Sequence, residues 1–180
     1  MCWHRLLGGA ALFALSLSSP AVGQPQANQV VGAWRLSVAD SDFGLTPAPD
    51  SARLVIRQAN EHLDMREDYF FPHPHGHMYA DYDMPIDGEE YFSTTHEGIQ
   101  AMRVAWEGSE LLFSYSVDSG AGLLDVTEKW SVTGREGRHQ LVVVRSIFVP
   151  SMQEIVSNRL VFDRRDDPSV NPTEVRLQEP

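Results

Sequence analysis

Leu124-Asp125-Val126-Thr127-Glu128-Lys129-Trp130-Ser131-Val132-Thr133 alternates between two kinds of side chain. Its even positions are apolar apart from Glu128, and its odd positions are all polar. An extended backbone sends successive side chains to opposite faces, so this stretch is predicted as a β-strand with one dry and one wet surface. Gly134-Arg135-Glu136-Gly137 then turns the chain. Gln140-Leu141-Val142-Val143-Val144-Arg145-Ser146-Ile147-Phe148-Val149 follows, rich in β-branched residues and more apolar on both faces. Residues 123–149 are therefore a long hairpin, and they set the class as all-β and antiparallel.

Further strands are predicted on both sides of the hairpin. They cover 30–38, 52–58, 63–71, 79–84, 91–95, 99–106, 111–117 and 155–163. In the first, Val30, Trp34, Leu36 and Val38 share a face. Residues 40–50 contain Gly44, Pro47 and Pro49 and read as a loop. Turn signals recur at short intervals, with no internal repeat and no amphipathic helix longer than a turn or two. That spacing predicts an up-and-down meander of about 8–10 strands, closed into a barrel or folded into two packed sheets. Closure has a physical motive, because an open meander of this length would leave two unpaired edges.

Composition narrows the function classes. The 180 residues are 42% hydrophobic, enough for one domain with a real core. The net charge of −11 argues against nucleic acid or an anionic membrane as partner, since both require an excess of Lys and Arg. Residues 1–23 have the pattern of an export signal. Arg5 precedes an apolar run over 6–17, Ser18-Ser19-Pro20 breaks it, and Ala21-Val22-Gly23 offers small residues for cleavage. The run is too short to span a bilayer. The expected organisation is a signal peptide over 1–23, a barrel over 24–164 and a frayed tail over 165–180. The expected location is periplasmic or secreted, with no membrane span after cleavage. Cleavage removes Cys2, the only cysteine, so the barrel must be held by its core and not by disulfides.

Gly32-Ala33-Trp34 at the start of the first strand resembles the Gly-x-Trp signature of lipocalins and related calycin barrels. The resemblance implies that Trp34 plugs the closed end of the barrel and that an Arg of the last strand lies against it. Arg159 is the residue assigned to that part, with Arg164 as second choice. Trp34-Arg35-Leu36, Ser41-Asp42-Phe43-Gly44, Pro47-Ala48-Pro49, Ile86-Asp87-Gly88-Glu89-Glu90-Tyr91 and Glu128-Lys129-Trp130-Ser131 together resemble a group of secreted bacterial proteins of unknown function with lipocalin-like barrels. The likeness covers 30–164. The chain departs from fatty-acid-binding proteins in lacking length for a helix pair after the first strand. It departs from typical lipocalins in having a Pro-containing tail and no cysteine after cleavage. Lipid binding is therefore not inherited with the fold.

Two places are predicted to carry chemistry. Alternation puts Glu128 on the face of Val126 and Trp130, Arg145 on that of Leu141, Val143 and Ile147, and Arg103 on that of Ile99 and Ala101. If those faces point inward, the charges enter the barrel, where they must be paired or hold a ligand's polar group. Arg103, Glu128 and Arg145, with Tyr115 as a hydroxyl donor, are the predicted ligand-binding set. The second place is the segment of His73, His75 and His77. Imidazoles are common zinc ligands, and three with a carboxylate or water complete a tetrahedron. Pro74 and Gly76 favour a turn there, and an exposed polar loop is the simpler alternative.

The chain has no Gly-x-Ser-x-Gly elbow, phosphate-cradling Gly loop, His-Glu-x-x-His or thiol nucleophile. No catalytic residue is assigned, although catalytic groups can converge from distant strands. Three functions stay open: an exported barrel that binds a small apolar or amphipathic molecule, a periplasmic metal-binding protein using His73, His75 and His77 with zinc as the candidate metal, and a filled barrel acting as a protein-interaction module.

Overall fold

Burial follows the alternation. Val126, Glu128 and Trp130 are buried while Asp125 and Lys129 between and beside them are exposed, so the dry face of the central strand turns inward as its sequence demands. The computed structural model describes residues 27–74, 76–95, 98–118, 122–135 and 138–165. The predicted signal segment 1–23, His75 and residues 166–180 of the predicted tail lie outside the described residues.

The elements in chain order are a short helix α1 (Ala27–Val30), β1 (Gly32–Leu36), a 3-10 turn (Val38–Asp40), β2 (Ser51–Ala59), β3 (His62–Phe70), β4 (His77–Pro85), β5 (Tyr91–Thr95), β6 (Gly98–Glu107), β7 (Glu110–Asp118), β8 (Leu123–Arg135), β9 (Arg138–Val149) and β10 (Glu154–Arg165). All ten strands form one sheet in the order β4-β3-β2-β1-β10-β9-β8-β7-β6-β5. Each ladder is antiparallel. The first and last strands in sequence, β1 and β10, pair with each other, which rolls the meander into a nearly closed, lipocalin-like barrel. β4 and β5 stand at the two ends of the order. Residues 86–88 stitch across between them, Ile86 N–H donating to the Glu61 carbonyl at 2.8 Å and Gly88 N–H to the Val104 carbonyl at 2.9 Å. Among the described residues no helix is long and apolar enough to cross a membrane.

One continuous core fills the lower part of the barrel, from Val30, Trp34 and Leu54 through Leu63, Met65 and Met84 to Val104, Leu111, Trp130, Leu141 and Phe162. Trp34 has no exposed surface, and its indole N–H donates to the Val30 carbonyl at 2.7 Å, closing α1 against the barrel floor. The first strand is shorter than expected. Val30 ends α1 instead of opening β1, and Val38 is exposed in the 3-10 turn, where Ser37 Oγ donates to Asp40 and Ser41 Oγ to the Ser37 carbonyl. These side-chain bonds offer the backbone a local alternative to the ladder. At the other end, β10 spans Glu154–Arg165, two residues beyond the expected end of the last strand at 163.

The arginine at the closed end is Arg164, not Arg159. Its guanidinium lies over the Trp34 ring, 5.4 Å from the centroid, and donates to the Val31 carbonyl at 2.9 Å. The reason is register. Trp34 is the direct partner of Arg164, and directly paired residues project from the same face, so the even residues of β10 point inward with Trp34. Arg159 is odd, hence outside, where it is exposed and reaches the Asp40 carbonyl at 3.3 Å. Gly32 belongs to the same arrangement. Its φ of +145° and the Arg164 guanidinium 3.2 Å from where a Cβ would stand leave little room for a side chain.

Candidate binding cavity

Above the core the interior is hollow. A cavity of about 250 Å³ is walled by Tyr69, Phe71, Met78, Tyr82, Tyr115, Val126, Ile147, Glu67 and Arg145, among others. A second chamber of about 190 Å³ lies under the loop bearing Phe43, Thr46, Pro47 and Pro49, and reaches Asn158 and Leu160. Tyr69, Phe71, Met78 and Arg145 line both chambers, so they form the partition between two parts of one upper space. The Gly44 φ of +53° lets that loop fold down on β10, where a Cβ would fall 2.5 Å from the Ser157 carbonyl oxygen.

The walls carry a polar network in an apolar setting. Arg145 Nε donates to Glu128 Oε1 at 2.6 Å. The Tyr115 hydroxyl donates to the same oxygen at 3.1 Å, and Trp130 Nε1 donates to Glu128 Oε2 at 2.7 Å. Glu128 is 3% exposed, so these three donors replace the water its carboxylate has lost. The Tyr82 hydroxyl donates to Glu67 Oε1 at 2.8 Å. Ring contacts tie the wall together: Phe113 meets Tyr82 and Trp130 edge-to-face and Tyr115 at a tilt, with centroids 5.2, 6.3 and 5.1 Å apart.

Electrostatics follow from this packing. Burial pushes the Tyr69, Tyr82 and Tyr115 hydroxyls well above the ordinary tyrosine range, reinforced by the Glu67 and Glu128 charges. All three stay neutral donors at physiological pH. Burial works against the Arg145 charge, but Glu128, with Tyr115, Tyr69 and Glu67, outweighs it and raises the guanidinium above its usual value. Arg145 therefore stays charged beside Glu128, its ion-pair partner.

Three of the four predicted ligand-binding residues come together. Glu128, Arg145 and Tyr115 are in contact inside the barrel, as alternation on β7, β8 and β9 required. Arg103 does not join them. It is exposed on the outer face of β6, opposite Ser114, while Gln100, Met102 and Val104 point inward. Both faces of β6 carry apolar residues, so its alternation does not choose a face, and the bulkier set takes the core. Glu67, Tyr69, Tyr82 and Asn158 were not assigned to the site from sequence. Glu67 carries the signal that marked Glu128, a lone charge on the apolar face of Leu63, Met65 and Tyr69. Asn158 stands similarly between Val156 and Leu160. Nothing local marks Tyr82.

Of the predicted histidine trio, His75 lies outside the described residues, and His73 and His77 are both on the outside of the barrel. His73 is exposed in the turn before β4. His77 hydrogen-bonds Asp68 at 3.0 Å and stacks on Phe70 with centroids 4.4 Å apart. Among the described residues no group of three His, Cys, Asp or Glu is placed to hold a metal. Asp68 also accepts two bonds from Arg66, each at 3.1 Å. Burial would raise the Asp68 carboxyl, but these Arg66 and His77 hydrogen bonds hold it below the usual carboxylate range.

No family model and no curated protein matches the chain. Solved structures do. A secretory abundant heat soluble protein of Ramazzottius varieornatus superposes with a TM-score of 0.54 at 10% identity, over 76% of this chain and 96% of that one. Secretory abundant heat soluble protein 4 of the same organism gives 0.45 at 13% identity, over 79% and 99%. The likeness is one of fold.

Proposed function

We propose that the protein is an exported carrier that binds one small apolar or amphipathic molecule inside its barrel. The observation that supports this best is the hollow upper interior, lined mainly by aromatic and aliphatic side chains with a few convergent polar groups. Such a lining stabilises a bound apolar surface by roughly 25 cal/mol per Å² removed from water. Arg145 and Glu67 orient the polar end. Entry is from the upper rim, where Leu45, Phe70, Leu123, Phe148, Met152 and Ile155 are all exposed. Export rests on the signal-like pattern of residues 1–23.

A neutral solvatochromic dye such as Nile red tests the proposal. Saturable binding to the wild type is expected, and Ala80→Trp, which fills the cavity from β4, abolishes it. Dye binding that is absent, or unaffected by Ala80→Trp in a folded variant, refutes interior binding. Native mass spectrometry of protein collected from the export compartment should show an added organic mass in the wild type only.

A further inference from the structure

Asn158 is 5% exposed and lines the smaller chamber, under the loop that bears Thr46. The Thr46 hydroxyl donates to the Phe43 carbonyl at 2.7 Å, so towards Asn158 its oxygen can only accept. The end of the Asn158 amide that faces Thr46, 3.2 Å away, is therefore the nitrogen. The carbonyl oxygen Oδ1 lies at the other end, fully buried and with no hydrogen-bond partner among the described residues. A buried acceptor left unmet is costly, whereas one met by an incoming donor adds to binding.

A donor stands beside this acceptor. Asn158 of β10 is the direct partner of Arg145 of β9, and directly paired side chains project from one face with Cβ atoms about 5 Å apart. Arg145 lines both chambers. Its Nε is committed to Glu128 at 2.6 Å, and a guanidinium has further N–H donors on its terminal nitrogens. Acceptor and donor are thus neighbours in a chamber whose other walls include the apolar side chains of Phe43, Pro47, Pro49 and Leu160.

We infer that the smaller chamber is the head-group site, and that Asn158 sets its specificity for an uncharged head that both donates and accepts a hydrogen bond, a hydroxyl or a primary amide. The head donates to Asn158 Oδ1 and accepts from Arg145, and the apolar chain runs past Tyr69 and Phe71 into the larger chamber. This rests on the interior-binding reading. An ether or a carboxylate offers only acceptors, so its oxygen would face the lone pairs of Oδ1. An ammonium offers only donors and would face the Arg145 guanidinium.

Octanol and heptyl methyl ether are isomers that differ in whether the oxygen carries a donor. Their displacement of Nile red from the full chain tests the assignment, with octanoate as the charged control. Octanol is expected to bind at least about fivefold more tightly than the ether, and octanoate more weakly than octanol. Without a matched acceptor the order would reverse, because the ether gives up less hydration on entering an apolar chamber. Asn158→Leu, checked by circular dichroism, should bring octanol down to the affinity of the ether or below it, with the ether within about twofold of wild type. An ether that binds the wild type as tightly as octanol overturns the assignment, Oδ1 then needing no more than a trapped water; this comparison holds whether or not the variant folds. Octanoate binding more tightly than octanol overturns it too, as does an octanol preference that survives in Asn158→Leu or an equal weakening of both isomers there. Interior binding stands in each of these cases. It also stands if Nile red binds and none of the three probes displaces it, a result that overturns the head-group assignment alone. Failure of Nile red itself to bind overturns both.

Discussion

Replacing Arg145 by Leu removes the cation that holds Glu128 inside the barrel. Glu128 keeps the Trp130 and Tyr115 donors but loses its 2.6 Å partner, and at 3% exposure it regains little water in exchange. Removing one member of a buried ion pair costs ~3–5 kcal/mol. Arg145 borders the cavity and its side chain is 20% exposed, so some solvent reaches the pair, and about 3 kcal/mol is the expected loss. For a domain of this size that lowers Tm by roughly 10 °C. Glu128→Leu strands the guanidinium and two donors and should cost about as much. The double variant removes both charges of the pair and leaves mainly the Trp130 N–H and the Tyr115 hydroxyl without their Glu128 acceptor, a cost of about 1–3 kcal/mol, below the sum of the singles. Urea denaturation of the four proteins measures this coupling. Additive losses, or a loss under about 1 kcal/mol for Arg145→Leu, would refute the claim that the pair is a buried, mutually dependent unit.

Arg164→Ala should destabilise by about 1–2 kcal/mol through loss of the contact with Trp34 and the Val31 carbonyl, and Arg159→Ala by much less; paired urea curves decide between them. Gly44→Ala places a left-handed alanine against the Ser157 carbonyl, so a loss of about 2 kcal/mol or more is expected. The same variant should loosen the loop over the second chamber, read as faster hydrogen exchange at Asp42 and Arg159, whose backbones bond each other at 2.7 and 2.8 Å. Asp68 titrates below 3.8 when folded, so its contribution is complete above that value and is lost as pH falls through the lower folded value. Asp68→Asn should therefore flatten the acid limb of a stability–pH profile; an unchanged limb would show that its Arg66 and His77 bonds contribute nothing.

Strands with one-sided patterning were legible in the chain. Ala52, Leu54 and Ile56 of β2, Leu63 and Met65 of β3, and Val126, Glu128 and Trp130 of β8 are buried as their alternation required. That is also why Glu128 and Arg145 could be placed in the interior before any coordinates. Strands apolar on both faces were ambiguous, and Arg103 on β6 is the consequence. The choice between Arg159 and Arg164 turned on a one-residue difference in parity, which local pattern does not supply when neither arginine sits in an unbroken apolar row.

Period-two patterning is a property of a few consecutive residues, so the sequence by itself determined the strands, their dry faces and the charged pair on two of them. Closure is a property of the whole sheet. The pairing of β1 with β10 set which residues meet across it, put Arg164 on Trp34, and brought Glu67 and Tyr82 of β3 and β4 round to the space shared with Arg145 of β9. Only the tertiary structure decided that this space is hollow, because a cavity is a sum of side-chain volumes arriving from strands far apart in the chain.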